Sequence, residues 1–193
     1  MIPSLPDPSG DADDACMARL AAGQDRALDD LMGRWSAKLI SFLARLTGNH
    51  ATACDLAQET FVRLYLSRGR FRACGTFGSF LFQIAANQAK NHTRWRHRHP
   101  EVSMDDEFLA EMTDEKHVAP DRVAEASETE TAVRSAVLAL PEDLRQPLVL
   151  SVYEGRDQEE IAAILGCTRK AVEMRIYRAR QILRERLAAF MSE

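Results

Sequence analysis

Residues 157–188 read DQEEIAAILGCTRKAVEMRIYRARQILRERLA. Ile161, Ala162 and Leu165 recur at the steps of a short helix with one apolar side. Gly166 follows, a residue suited to the left-handed conformation at a helix C-terminus. Thr168 then offers a hydroxyl to cap a second helix. At ~100° per residue, Val172, Ile176, Ala179 and Leu183 fall on one side of that helix and pack inward. Lys170, Glu173, Met174, Tyr177, Arg178, Gln181 and Arg184 point outward. Small Ala162 lets the two helices cross closely. The pattern predicts a helix-turn-helix, whose second helix enters the major groove of duplex DNA. A helical hairpin that binds protein is the alternative. Side chains near the start of the second helix reach base edges, and arginine grips guanine with two hydrogen bonds. Arg169, Arg180 and Arg186 are better placed for phosphates. Glu173, a carboxylate on this surface, either accepts from cytosine or pairs with Lys170 or Arg169.

Upstream of the motif, Val133, Val137, Leu138 and Leu140 extend helical periodicity back to Thr129. Pro141 interrupts it, and Leu144, Leu148, Leu150 and Val152 follow. Residues 99–128 have Pro100, Pro120, dense acids and sparse large apolar groups, the composition of a linker. Within it, 104–112 has the pattern of one short helix. Residues 13–98 read as helices again. Leu28, Leu31, Trp35, Leu39, Phe42, Leu43 and Leu46 make one stripe, which Thr47-Gly48-Asn49 ends. A helix over 51–66 turns Leu56, Phe61, Leu64 and Tyr65 to the core. Residues 67–78 are expected as a glycine-bearing loop. Helix returns from Phe80 to about Trp95 through Leu81, Ile84, Ala85 and Gln88, with Phe77, Phe80 and Phe82 as core. Residues 1–12, rich in Pro, Asp, Ser and Gly, are expected as a loose tail. No strand of credible length is present. The expected fold is therefore all-α: two small helical domains, 13–98 and 129–193, joined by an acidic linker.

Charge is distributed in blocks. The net −4 of the 193 residues conceals eight bases and no acid in 62–98, and seven bases against two acids in 168–187. Between them, 101–130 holds eleven acids and two bases. Basic blocks attract phosphate backbones by Coulomb force and counterion release, while a dense acidic run repels nucleic acid. In 71–99 the amides of Asn87, Gln88 and Asn91 stand at helical spacing beside Lys90, Arg94, Trp95 and Arg96. Amides reach unpaired base edges, basic groups hold phosphates and aromatics stack on bases, a combination suited to single strands. Asp55, Gln58, Glu59 and Arg63 form an exposed mixed-charge side of the helix over 51–66.

Other chemistries are disfavoured. His92, His97 and His99 crowd near Cys74 but lack metal-binding spacing. Walker loops, nucleophile elbows and paired-carboxylate sites are missing, so no enzyme, metal site or cofactor is expected. Cys16, Cys54, Cys74 and Cys167 lie far apart without a CxxC pair, which fits a reduced cytoplasmic protein. A redox role for Cys54 or Cys74 stays open. The N-terminus lacks a secretory pattern, and no run reaches the roughly 18 apolar residues of a membrane span.

Three segments together carry a family resemblance. DLAQETFVRLY, from residue 55, resembles the part of region two of extracytoplasmic-function sigma factors that docks on RNA polymerase. FRACGTFGSFLFQIAANQAKNHTRWRHR, from residue 71, resembles the part that melts promoters and reads the −10 element. LPEDLRQPLVLSVYEGRDQEEIAAILGCTRKAVEMRIYRARQIL, from residue 140, resembles region four, which reads the −35 element. The resemblance covers about 15–98 and 129–190, in family order.

It implies a promoter-specificity subunit without catalytic chemistry. Asp55, Gln58, Glu59 and Arg63 would meet the clamp of the polymerase's largest subunit, and the C-terminal domain its flap. Asn87 and Asn91 would take flipped non-template bases. The loop 70–77, with Arg70 and Arg72, would pocket one such base, while Lys90, Arg94, Trp95 and Arg96 hold the strand. Arg169, Lys170, Met174, Tyr177, Arg178 and Arg180 would read or hold the −35 duplex. The acidic linker would run through the polymerase, and an anti-sigma factor would hold the chain inactive. The chain departs from the family pattern at Phe80, where tryptophan is usual, at Lys170-Ala171-Val172, and at Glu173, where a base is frequent. The remaining rival is an ordinary helix-turn-helix regulator that binds an operator without polymerase.

Overall fold

A computed structural model describes residues 10–71, 76–99 and 124–188, with side chains from Ala12 and, in the last segment, 129–188. The described residues form eight α-helices and no strand. Four belong to the N-terminal half: α1 (Gly10–Ala21), α2 (Arg26–Thr47), α3 (His50–Leu66) and α4 (Phe77–Arg98), with a 3₁₀ turn at Arg68–Arg70. Four belong to the C-terminal half: α5 (Ala124–Leu138), α6 (Glu142–Val152), α7 (Gln158–Leu165) and α8 (Arg169–Leu187). The expected short helix at 104–112 lies outside the described residues.

The α2 stripe buries Leu31, Trp35, Leu39, Phe42, Leu43 and Leu46. Gly48 ends the helix at φ 77°, its N–H donating to the Ala44 carbonyl. Asn49 caps α3 by accepting from the Thr52 amide, so α3 folds back along α2. Thr76 caps α4 from the Ser79 amide. Helix α4 therefore begins three residues before Phe80, and it continues past Trp95 to Arg98. Phe77 and Phe82 are fully buried and meet the Trp35 ring edge-on; Phe80 is half-buried, 5.6 Å from Phe71. The loop read over 67–78 is shorter than expected, and its 72–75 lie outside the described residues.

Helix α1 starts at Gly10, inside the stretch read as tail. Its acids act as ties. Asp13, 1% exposed, accepts from Trp35 Nε1 at 2.8 Å and pairs with Arg34 Nε at 2.8 Å. Asp14 accepts from the Phe77 amide at 2.7 Å, which joins α1 to the first turn of α4.

In the C-terminal half, α5 begins five residues before Thr129. Helix α6 runs through Pro147, at its sixth position, and buries Leu144, Leu148, Val149 and Leu150. Asp157 and Glu160 close a capping box at the start of α7. Gly166 turns the chain at φ 62°, and Thr168 caps α8 from the Ala171 amide. Ile161, Ile164, Val172, Ile176 and Ala179 fill the space between α7 and α8.

The two halves pack on each other and share one continuous core. Gln146 Nε2 on α6 donates to the Ala86 carbonyl of α4 at 3.1 Å. Arg145 donates to the carbonyls of Leu46 on α2 and Leu140. Leu138 lies over Gly48, and a Cβ on Gly78 would meet Arg156 and Trp35 below 3.0 Å. Arg156 also lies over the Phe82 ring.

Candidate nucleic-acid and partner interfaces

On α3, the small and apolar side (Ala53, Ala57, Thr60, Phe61, Leu64) faces the bundle. The opposite side presents Asp55, Gln58, Glu59 and Arg63. Arg63 Nε holds Glu59 Oε1 at 2.8 Å, an exposed pair of small energetic value. Between these polar groups stand Val62, 52% exposed, and Leu66, 73% exposed. The sequence reading missed both. Their signal was available, since neither fits the apolar stripe of a helix that already has a full core side. Exposed aliphatics amid paired charges make a face suited to burial against protein. Cys54 on the same helix is half-buried, its Sγ 3.7 Å from His50 Nε2.

On α4, Asn87, Lys90, Asn91 and Arg94 are exposed at consecutive three- and four-residue steps. Gln88, read as part of this amide set, is buried and faces the core. The 100° helical step separates it from its neighbour Asn87. Trp95 is 38% exposed and stacks on His99 at 4.9 Å, which leaves an aromatic face at the helix end. Arg96 is half-buried. Arg70 is exposed on the 3₁₀ turn; Arg72 lies outside the described residues. Thus amides, cations and an aromatic share one helix, as single-strand binding requires. Glu142 at the start of α6 lies within the field of Lys90, Arg94 and His97. Burial nonetheless dominates there and pushes the Glu142 carboxyl above its ordinary range.

On α8, Lys170, Met174, Tyr177, Arg178 and Arg180 are exposed while Val172, Ile176 and Ala179 are buried. The expected division of faces is therefore observed. Gln181 Nε2 donates to Tyr177 Oη at 2.7 Å, which fixes the phenol outward and 58% exposed. Arg169 pairs with Glu159 across the turn at 3.0 Å. Lys170 Nζ donates to Glu173 Oε2 at 2.9 Å. Gln158, Glu173, Met174, Ile176, Tyr177 and Arg180 line an open depression of about 350 Å³ beside the helix.

Two domain families match at these places. Residues 31–99 match Sigma-70 region 2, and residues 130–183 match Sigma-70, region 4. The RNA polymerase sigma-H factor of Pseudomonas aeruginosa is 33% identical over 189 residues, 94% of this chain and 96% of that protein. The ECF RNA polymerase sigma-E factor of Haemophilus influenzae is 30% identical, covering 93% of this chain and 97% of its own length. The chain belongs to the extracytoplasmic-function sigma factors. Among solved structures, CnrH in complex with the cytosolic domain of CnrY superposes with a TM-score of 0.68 at 28% identity. It covers 92% of this chain and 98% of that one. The sigma factor RpoE in complex with the anti-sigma factor NepR from Bartonella quintana gives 0.62 at 25% identity, with 83% and 96% covered. In this sigma factor the region 2 match spans most of α2 through α4, and the region 4 match runs from within α5 through most of α8.

Proposed function

We propose that this sigma factor binds core RNA polymerase through Asp55, Gln58, Glu59 and Arg63, reads the −35 duplex with α8, and captures non-template bases of the −10 element with α4. The observation that carries the reading is one of placement. Asn87 and Asn91, and Lys170, Met174, Tyr177 and Arg178, stand outside the core on two helices whose other sides are sealed. Val62 and Leu66 extend the polymerase face with apolar area. Capture of an extruded base offsets part of the few kcal/mol that unpairing costs, and Arg70, Lys90, Arg94, Trp95 and Arg96 hold the strand by charge and stacking. Arg169 and Arg180 hold phosphates of the duplex.

The role is that of a specificity subunit acting in the cytoplasm, with no bond made or broken by its own side chains. Among the described residues no helix is long and apolar enough to cross a membrane. An anti-sigma partner fits the family, since a related sigma factor is bound to NepR. A regulator that works without polymerase leaves the α3 face unexplained.

The test is co-purification with core polymerase followed by reconstituted transcription. Association and new promoter choice are expected; neither occurring overturns the reading. Replacing both Asn87 and Asn91 by Ala is expected to lower strand opening at least ten-fold, about 1.4 kcal/mol or more, while duplex binding by α8 persists.

A further inference from the structure

Glu173 is the only acid between Thr168 and Arg184. It shares that stretch with six cations: Arg169, Lys170, Arg175, Arg178, Arg180 and Arg184. A carboxylate at the fifth position of α8 faces a polyanion when the helix enters a groove, and Coulomb repulsion then weakens binding unless the group accepts a hydrogen bond. Fold stability gives no reason for it. Its partner Lys170 is 73% exposed and Glu173 itself 51%, and solvent-exposed pairs of this kind add little to stability. The helix is anchored instead by Val172, Ile176 and Ala179.

The pair has a specific geometry. Lys170 Nζ engages Oε2 at 2.9 Å, so the ammonium offsets the negative charge and leaves Oε1 to accept from outside. The carboxyl, in the second turn of α8, lines the depression with Tyr177 one turn and Arg180 two turns further on, and side chains near the start of such a helix contact bases in the major groove. Only two base-edge groups donate there: cytosine N4 and adenine N6. Adenine N6 is flanked by the N7 acceptor, which repels a carboxylate. Cytosine N4 has no such neighbour on its own ring edge, and its partner guanine offers O6 to a cation. A joined carboxylate and ammonium thus match a C·G pair.

We propose that Glu173, positioned by Lys170, reads a cytosine in the upstream duplex element. This rests on the promoter-recognition reading above. The test is reconstituted transcription with core polymerase and the full chain on a library with that element randomised. Transcripts from the wild type should favour cytosine about ten-fold at one position. Glu173→Ala should flatten the preference at that position alone. Glu173→Gln should move it toward adenine, because an amide donates to N7 and accepts from N6. If the wild type transcribes selectively but has no position whose cytosine preference depends on residue 173, the proposal fails and the promoter reading survives. A uniform rise in transcription by Glu173→Ala, without change of base preference, also overturns it: Glu173 would then merely repel. A wild type that supports no transcription from any library member sinks both readings.

Discussion

Glu154 shows what a single buried charge does in this chain. It lies just after α6, its side chain 3% exposed and 3.9 Å from Arg45. Burial pushes its carboxyl above the ordinary range, against the opposing pull of Lys38, Arg45 and Arg156. The ionised carboxylate keeps its hydration in the unfolded chain and loses it in the folded one. As pH falls, the folded carboxyl takes up its proton first, so this burden is relieved through and just above the ordinary carboxylate range. Glu154→Gln is therefore expected to raise the thermal midpoint at pH 7, and the difference from wild type should shrink towards pH 4.5. A variant that melts lower at pH 7 would show that the Arg45 pair outweighs desolvation. At this same scale the periodicity identified Asn87 and Asn91 as exposed, but it could not decide which side of α4 held Gln88. The packed bundle decided it: Gln88 lies on the buried side of α4 with Ala85 and Ala89.

Among the elements, the turn between α7 and α8 is the most completely specified by local chemistry. The Asp157 capping box, Gly166 at φ 62° and the Thr168 cap each satisfy backbone groups without help from distant residues. Nothing lies within 4 Å of a Cβ built on Gly166. Gly166→Ala should therefore lose only the backbone term, about 1 kcal/mol, or ~3 °C of thermal midpoint in a chain of this length. Gly48→Ala should lose more. Its backbone is also left-handed, and the new methyl would meet Leu138 Cδ1 at 2.9 Å, across the contact between α2 and α5. Equal losses would show that Leu138 swings away freely. The turn at 166–168 was legible because its signals are adjacent in sequence. The start of α4 was not, because its Thr76 cap follows Gly75 in a run that reads as loop, and the tie that secures it comes from Asp14. Helix α1 was cut short for a like reason: its acids suggest solvent until Trp35, Arg34 and the Phe77 amide are brought to them.

Taken whole, the molecule holds α4 and α8, the two helices proposed to read the promoter, in one packed body. A compact chain of 193 residues has a radius of gyration of ~16 Å. Elements centred about 25 base pairs apart on straight duplex lie ~85 Å from each other. The packed form is too short to span them, so the halves must separate when both are read. Fluorophores placed through unnatural amino acids at the exposed Gln83 and Glu185 should transfer energy efficiently in the free chain. Transfer should fall when the polymerase–promoter complex forms; unchanged transfer would mean that the packed form is itself the reader. Arg145→Ala should loosen the free chain and reduce stability by about 2 kcal/mol, since the guanidinium bridges the end of α2 and the connection after α5 through the Leu46 and Leu140 carbonyls. By itself, the order of residues determined the helices, the basic blocks and the outward side of α8, because periodicity, caps and charge act over a few positions. Only the tertiary structure decided that Leu46, Ala86 and Phe82 meet Arg145, Gln146 and Arg156. Those contacts join positions 60 or more residues apart, and no local pattern encodes which carbonyl a distant guanidinium or amide will reach.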